Sequence, residues 1–170
     1  MERIPWEVVN SHVSDAYIAG FLDGDGSVVA VITKQDIRRY PNRPLRIQLK
    51  VNFTQHERHK SVLVAIQRHF NGIGYLRRIF SHHLSELVIT KRADVKMVLE
   101  RLLPHLFLKQ TQARIALTII AVCDKGERGP KNALIQTEFE KNLSMAMKIR
   151  ALNSAIGGKK SMELINPVTT

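Results

Sequence analysis

From Leu45 to Phe53 the chain alternates without a break: Leu45, Ile47, Leu49, Val51 and Phe53 take one side, Arg46, Gln48, Lys50 and Asn52 the other. A period of two belongs to a strand, and a strand apolar on one side lies in an antiparallel sheet with one face on a core and one face open. The segment therefore commits the chain to a sheet with a free face, and it also names that face's chemistry. A solvated face ordinarily mixes acids with bases. This one carries Arg, Gln, Lys and Asn, side chains able to read guanine and adenine edges through paired hydrogen bonds. The whole chain leans the same way: 26 Lys and Arg against 15 acids give a net charge of +11 over 170 residues. An excess of that size marks a polyanion partner. No stretch approaches the roughly 18 apolar residues of a membrane span, and Met1–Trp6 lacks a signal-peptide apolar core. Nucleic acid is favoured over a membrane, and the lone Cys123 fits a reducing, intracellular compartment.

A second stretch is physically at odds with itself. Ala16 to Leu22 is apolar on every side, which calls for burial all round. Its far end carries Asp23 and Asp25, where the helix dipole is already negative and favours cations. Such a helix needs a positive partner at that end: a Lys, an Arg or a metal ion. The small Ala19 and Gly20 admit close approach of another backbone, such as a second copy of the same helix. Aspartates capping a glycine turn are the plainer reading. A calcium loop fails on spacing, because the sixth position from Asp23 is Val28 and the twelfth is Lys34. His56-Glu57-Arg58-His59 has the wrong spacing for a zinc protease motif, and no Cys cluster accompanies any His.

The remaining punctuation gives an element order. Ser14 or Asp15 caps a helix running to about Asp23, and Ser27–Thr33 is a strand. Lys34–Pro44 is a polar, basic connection. After the alternating strand, a helix carries Leu63, Ile66 and Phe70 and stops at Asn71-Gly72-Ile73-Gly74. Strands at Tyr75–Phe80 and Glu86–Thr90 flank the turn Ser81-His82-His83. A helix opens at Ala93 or Asp94 and closes at Pro104, an apolar helix reaches Cys123, residues 124–132 form a loop, and a last helix covers 133 to about 153. The fold class is α+β, in the order αββαββα: one curved four-stranded antiparallel sheet with helices on one face, plus C-terminal helices. Residues 1–13 read as a leader, 14–154 as a single domain and 155–170 as a basic tail.

Ile18-Ala19-Gly20-Phe21-Leu22-Asp23-Gly24-Asp25-Gly26 resembles the nine-residue motif of the LAGLIDADG homing endonucleases, with five positions identical to the eponymous letters. Phe53-Thr54-Gln55, Gly72-Ile73-Gly74-Tyr75 and Leu106-Phe107-Leu108-Lys109-Gln110-Thr111-Gln112-Ala113 resemble further segments of single-motif members, with a weaker echo at Ala151-Leu152-Asn153. The resemblance implies the αββαββα fold and a homodimer whose motif helices meet through Tyr17, Ala19, Gly20, Phe21 and Asp23. It also implies cleavage of both strands of a long pseudo-palindromic duplex. Asp25 and the Gly24 carbonyl are then the ligands of a divalent ion, with Gln55 orienting water and Lys109 offsetting charge at phosphorus. Mg²⁺ is the expected ion, Mn²⁺ a substitute, and Ca²⁺ a support for binding without cleavage; no small-molecule cofactor is implied. Where the family commonly carries Arg, this chain has His59, followed by Lys60.

The residues expected to read DNA are Thr33, Gln35, Arg46, Gln48, Lys50, Asn52 and Arg77, with Glu86 buttressing Arg77 and with Lys159 and Lys160 on phosphates. Val31, Ile79 and Val88 fall on the same face and are apolar; they contact thymine methyls, or the register differs. A non-cleaving binder, such as a maturase or a repressor, has the same fold and face. Retention of Asp25, Gln55 and Lys109 together favours cleavage.

Overall fold

The computed structural model describes residues 13–36, 38, 39, 44–126, 128, 129 and 133–157. Its elements in chain order are α1 (Asp15–Asp25), β1 (Gly26–Lys34), β2 (Leu45–His56), α2 (Lys60–His69), β3 (Tyr75–Ile79), β4 (Leu84–Ile89), α3 (Arg92–Leu102), α4 (Gln110–Lys125), β5 (Arg128–Gly129), β6 (Ala133–Leu134) and α5 (Gln136–Gly157). Single 3-10 turns occupy Glu57–His59, Phe80–His82 and Leu103–His105. The first four strands form one sheet in the order β1-β2-β4-β3, so the expected αββαββα arrangement is present, in a sheet that is not strongly curved.

Local chemistry sets the boundaries. Ser14 caps α1, its Oγ accepting from the Tyr17 N–H at 3.1 Å. The helix runs two residues past the expected end, to Asp25, and Gly26 stops it there. Gly26 is needed for space rather than for backbone freedom. A Cβ there would lie 2.6 Å from Leu22 Cδ1 and 2.9 Å from the Asn52 carbonyl oxygen. Gly74, with φ +81, turns the chain into β3 where a Cβ would meet the Val88 carbonyl at 2.8 Å. The expected loop at 124–132 contains part of a short hairpin, pairing Arg128 with Leu134 and Gly129 with Ala133. Strands of two residues are too short to show a period in sequence.

By compactness the chain divides into two units, residues 1–27 with 50–110 and residues 28–49 with 111–170. In the first, α1 packs against α3 and the turn after it, and α2 against β4. Ile18, Leu22, Val51, Phe53, Leu63, Ile66, Leu87, Ile89, Leu99 and Leu102 are fully buried there. Three helices are also fastened by charge. Asp15 Oδ1 lies 2.6 Å from His69 Nε2, and Arg101 reaches both carboxylate oxygens, at 2.8 and 3.1 Å. Burial alone would raise the Asp15 carboxyl, but the hydrogen bonds from His69 and Arg101, with the Arg101 charge, hold it below its usual range. In the second unit Val28, Ala30, Ala113, Ala116, Ile119, Ile120, Ala146 and Ile149 are buried. There Asn153 Nδ2 donates to the Val28 carbonyl at 2.9 Å, tying α5 to β1.

Candidate active site and nucleic-acid face

The carboxyl end of α1 answers the electrostatic question set by its sequence. Asp23 accepts three consecutive backbone N–H groups from the segment entering α4: Phe107 at 2.7 Å and Leu108 at 3.1 Å on Oδ2, and Lys109 at 2.9 Å on Oδ1. The Lys109 ammonium returns the contact, donating from Nζ to the Asp23 carbonyl oxygen at the negative end of the helix. Lys109 is 8% exposed. Desolvation pushes its pKa below the usual lysine value, while Asp23 and Asp25 pull it partly back. The expected positive partner is therefore a lysine, bonded to Asp23 and felt by Asp25.

Asp25 stands apart. It is exposed at the last position of α1 and has no hydrogen bond or ion pair among the described residues. Gly26 N–H takes the Leu22 carbonyl and Lys109 takes that of Asp23, which leaves the Gly24 carbonyl beside Asp25 at the exposed end. Gln55 is half-buried near the end of β2, opposite Ser85. Its Oε1 accepts the His56 N–H at 2.7 Å, which orients the amide and leaves Nε2 as a donor. Two residues earlier, the Phe53 ring packs on Phe21 of α1 with centroids 6.3 Å apart. The structure thus gathers Asp23, Gly24, Asp25 and Lys109, while no hydrogen bond joins Gln55 to them among the described residues. His59 and Lys60 are both exposed at the start of α2.

The pairing register sorts the sheet. Val51, Phe53, Leu87 and Ile89 lie on the helix side; Asn52, Thr54, His56, Glu86, Tyr75 and Arg77 lie on the open side. Arg77 Nε donates to Glu86 Oε2 at 2.7 Å and Thr54 Oγ1 to Glu86 Oε1 at 3.3 Å. Glu86 therefore buttresses Arg77, as expected. Thr33 and Arg46 are exposed, and Gln48 and Lys50 half-buried. Gln35 spends its side-chain N–H on the Leu45 carbonyl at 3.2 Å, closing the hairpin.

Two expectations about this face need correction. Asn52 does not present a donor–acceptor edge, because its Oδ1 is sealed from solvent and has no hydrogen-bond partner among the described residues. Val88 does lie on the open side, but its Asn52 and Tyr75 neighbours leave it 2% exposed, too covered to touch a thymine methyl. Lys159 and Lys160 fall outside the described residues, as do most of the leader and most of the tail.

On α1 the free surface differs from the expected one. Tyr17 is 49% exposed, Gly20 is exposed and Phe21 half-buried, but Ala19 is buried within its own chain and cannot meet a partner. Asp23 has its carboxylate committed to Phe107–Lys109. Ala16 and Gly24 occupy that free face instead. Their signal was the four-residue spacing of Gly20 and Gly24, and no atom lies within 4 Å of a Cβ built on either. Phe107 and Leu108, 88% and 62% exposed, were also missed; two large apolar residues beside a buried lysine were the clue.

Comparison with known proteins places this geometry. The LAGLIDADG endonuclease family matches residues 18–114, more than half of the chain. DNA endonuclease I-CreI of Chlamydomonas reinhardtii is 28% identical over 152 residues, covering 89% of this chain and 86% of that protein. DNA endonuclease I-CvuI of Chlorella vulgaris is 32% identical over 108 residues, 62% of each chain. The crystal structure of I-CvuI in complex with its target in the presence of calcium superposes with a TM-score of 0.68 at 26% identity, over 86% of this chain and 83% of that one. The archaeal intron-encoded homing endonuclease I-Vdi141I complexed with DNA shares the fold, with a TM-score of 0.70 at 19% identity over 89% and 88% of the two chains. The chain belongs to the LAGLIDADG endonuclease family and is a site-specific DNA endonuclease.

Proposed function

We propose that the protein acts as a homodimer that hydrolyses one phosphodiester in each strand of a long, pseudo-palindromic duplex, with a divalent cation at Asp25. The observation that carries this reading is the division of labour between two aspartates two positions apart. Asp23 is saturated by backbone donors, whereas Asp25 is exposed and makes no hydrogen bond or ion pair among the described residues. At the negative end of a helix the nearby charge of Lys109, which is bonded to Asp23, leaves that carboxylate open to a further cation.

The donor set fits a hard ion. Asp25 and the Gly24 carbonyl offer oxygen only, and no group of three or more His, Cys, Asp or Glu converges among the described residues. Mg²⁺ accepts such a site, since it binds through one or two carboxylates and keeps waters and phosphate oxygens for the rest. When bound, the ion supplies activation of water and stabilisation of the leaving oxygen. Mn²⁺ is expected to substitute, and Ca²⁺ to support binding without cleavage; calcium accompanies the related I-CvuI on its target. Lys109, with N–H groups beyond the one given to Asp23, offsets negative charge growing at phosphorus. Gln55, its oxygen already bonded, donates from Nε2 to orient water. Arg77, held by Glu86, reads bases together with Thr33, Arg46, Gln48 and Lys50, and Lys159 and Lys160 hold phosphates.

The second copy follows from the free face of α1. Tyr17, Gly20 and Gly24 face outward, and the exposed Phe107 and Leu108 are tied by their backbone to Asp23. Gly at four-residue spacing lets helix backbones approach closely. On this reading residues 14–154 are one endonuclease domain with short appendages, and the DNA partner carries half-sites mirroring the dimer.

Selection of cleavable duplexes from a randomised library in Mg²⁺ tests activity, symmetry and specificity together. Asp25→Asn should bind the selected target and leave it whole; full cleavage by that variant would reject the metal assignment. A selected target that is bound but never cut would favour a non-cleaving binder.

A further inference from the structure

The open face ends in a cluster that the assignments above leave unused. His56 closes β2 on that face, in step with Asn52 and Thr54 and opposite Leu84. The β3–β4 turn is fastened against it by the backbone, since Glu57 N donates to the His83 carbonyl at 2.8 Å. His83 takes the left-handed conformation, φ 50, which few residues other than glycine adopt. Its ring stacks with His56, centroids 6.5 Å apart and planes 28° from parallel. Arg58 folds back on the same ring, its backbone N and its Nε lying 3.2 and 3.4 Å from His56 Nδ1. A nitrogen that accepts a hydrogen bond carries no proton, so neutral His56 bears its N–H on Nε2. His56 and Arg58 are thereby left with donors alone. Glu57, the one acid in 54–60 and 78–84, is taken by Arg78 at 2.6 Å, and Arg78 lies over the Phe80 ring. Arg58 and His83 are exposed and His56 half-exposed.

We propose that His56, Arg58 and His83 form a clamp for one backbone phosphate of duplex DNA in each half-site. The donors narrow the ligand class. Adenine and cytosine edges each require an acceptor from the protein, and His56 and Arg58 have none left; a guanine edge also takes donors alone, and the base-pair substitutions below separate it from a phosphate. A phosphate offers only acceptors and can take N–H groups from several directions at once. The cluster occupies the row after Thr54–Glu86–Arg77, so it holds the duplex in register for that row. The proposal rests on the endonuclease reading and adds to it a phosphate contact beside Gln55.

The test uses the full-length protein and its selected target in Ca²⁺, with binding read by fluorescence anisotropy. His56→Phe keeps the ring without the N–H, His83→Asn tolerates the left-handed backbone, and Arg58→Gln leaves both rings in place. Each is followed by thermal unfolding. Neutral methylphosphonates are placed singly along the duplex, and single base pairs are substituted in a parallel set. Each variant should weaken binding about threefold to tenfold per half-site, the worth of one hydrogen bond, and so about tenfold to a hundredfold for the dimer, equally across all base substitutions. At one phosphate per half-site, the methylphosphonate should weaken wild type, weaken each single variant by a smaller factor, and weaken the triple variant hardly at all. Unchanged affinity, a loss confined to one base pair, or additive losses at every phosphate would each overturn the clamp. Variants matching a wild type that binds and cuts would remove the clamp alone. A wild type that binds no duplex would remove the endonuclease reading with it.

Discussion

Asp23 and Asp25 should respond to substitution in opposite ways. Asp23→Ala removes the acceptor of three backbone N–H groups, at 2.7, 3.1 and 2.9 Å, and frees the segment that places Lys109. Loss of an aspartate cap costs about 0.5–2 kcal/mol, and hydrogen bonds to a charged group contribute about 1.5–3 kcal/mol each. The site is only partly buried, so water recovers some of the loss, and a total of about 2–4 kcal/mol is expected. In a chain of this size that lowers the unfolding midpoint by roughly 5–15 °C. Asp23→Asn keeps one oxygen and should cost about half as much. Asp25→Asn changes an exposed side chain that has no hydrogen bond or ion pair among the described residues, and should stay within about 0.5 kcal/mol of wild type. Urea and thermal unfolding of the three variants, followed by circular dichroism, give the stabilities, and cleavage of the selected duplex gives the activities. Asp23→Ala should be unstable and weakly active, and Asp25→Asn stable and inactive. A stable Asp23→Ala, or an Asp25→Asn that unfolds several degrees early, would refute the assignment of roles.

Three other expectations follow. Gly20→Leu adds a side chain where no atom lies within 4 Å of the Cβ; it should leave the fold intact, give a monomer by sedimentation and abolish cleavage, and a persisting dimer would contradict the proposed seam. Gly26→Ala drives a methyl against Leu22 and the Asn52 carbonyl and should destabilise by about 1–3 kcal/mol in urea titrations. Asp15 has a folded pKa below its unfolded value, so its contribution is present above the unfolded pKa and is lost as pH falls through the folded one. The stability advantage of wild type over Asp15→Asn, measured by thermal unfolding, should hold above the usual carboxylate range and shrink as pH falls below it.

The alternation from Leu45 to Phe53 was legible because burial on one side imposes a period of two, and the strand itself runs on to His56 with no further alternation in burial. The start of α1 was legible to within a residue, Ser14 or Asp15, and the structure selects Ser14, whose hydroxyl accepts the N–H three residues on. The site was less so. That α1 needed a cation at its end could be read from composition; that Lys109 supplies one, and that Asp23 is filled by Phe107–Lys109, depends on a meeting of residues 84 to 86 apart in sequence. Ala19 was misplaced because a helix apolar on all sides has no period to show which face its own chain covers. The sealed oxygen of Asn52 was equally hidden, since strand alternation gives a residue's side and not which of its atoms reach solvent.

The Asp23 clip also sets an order of assembly. Everything from β1 to α3 lies between its two halves, so on a ribosome α1 emerges long before the N–H groups that will fasten its end. At about 5–20 residues per second the wait is roughly 4–17 seconds. Throughout it the apolar helix lacks its lysine and its carboxyl end is unanchored. A chain arrested or cleaved before Phe107 can therefore complete the four-stranded sheet's sequence and still lack the lysine contact at the carboxyl end of α1. The proposed metal site stays unfastened until the segment entering α4 has been made.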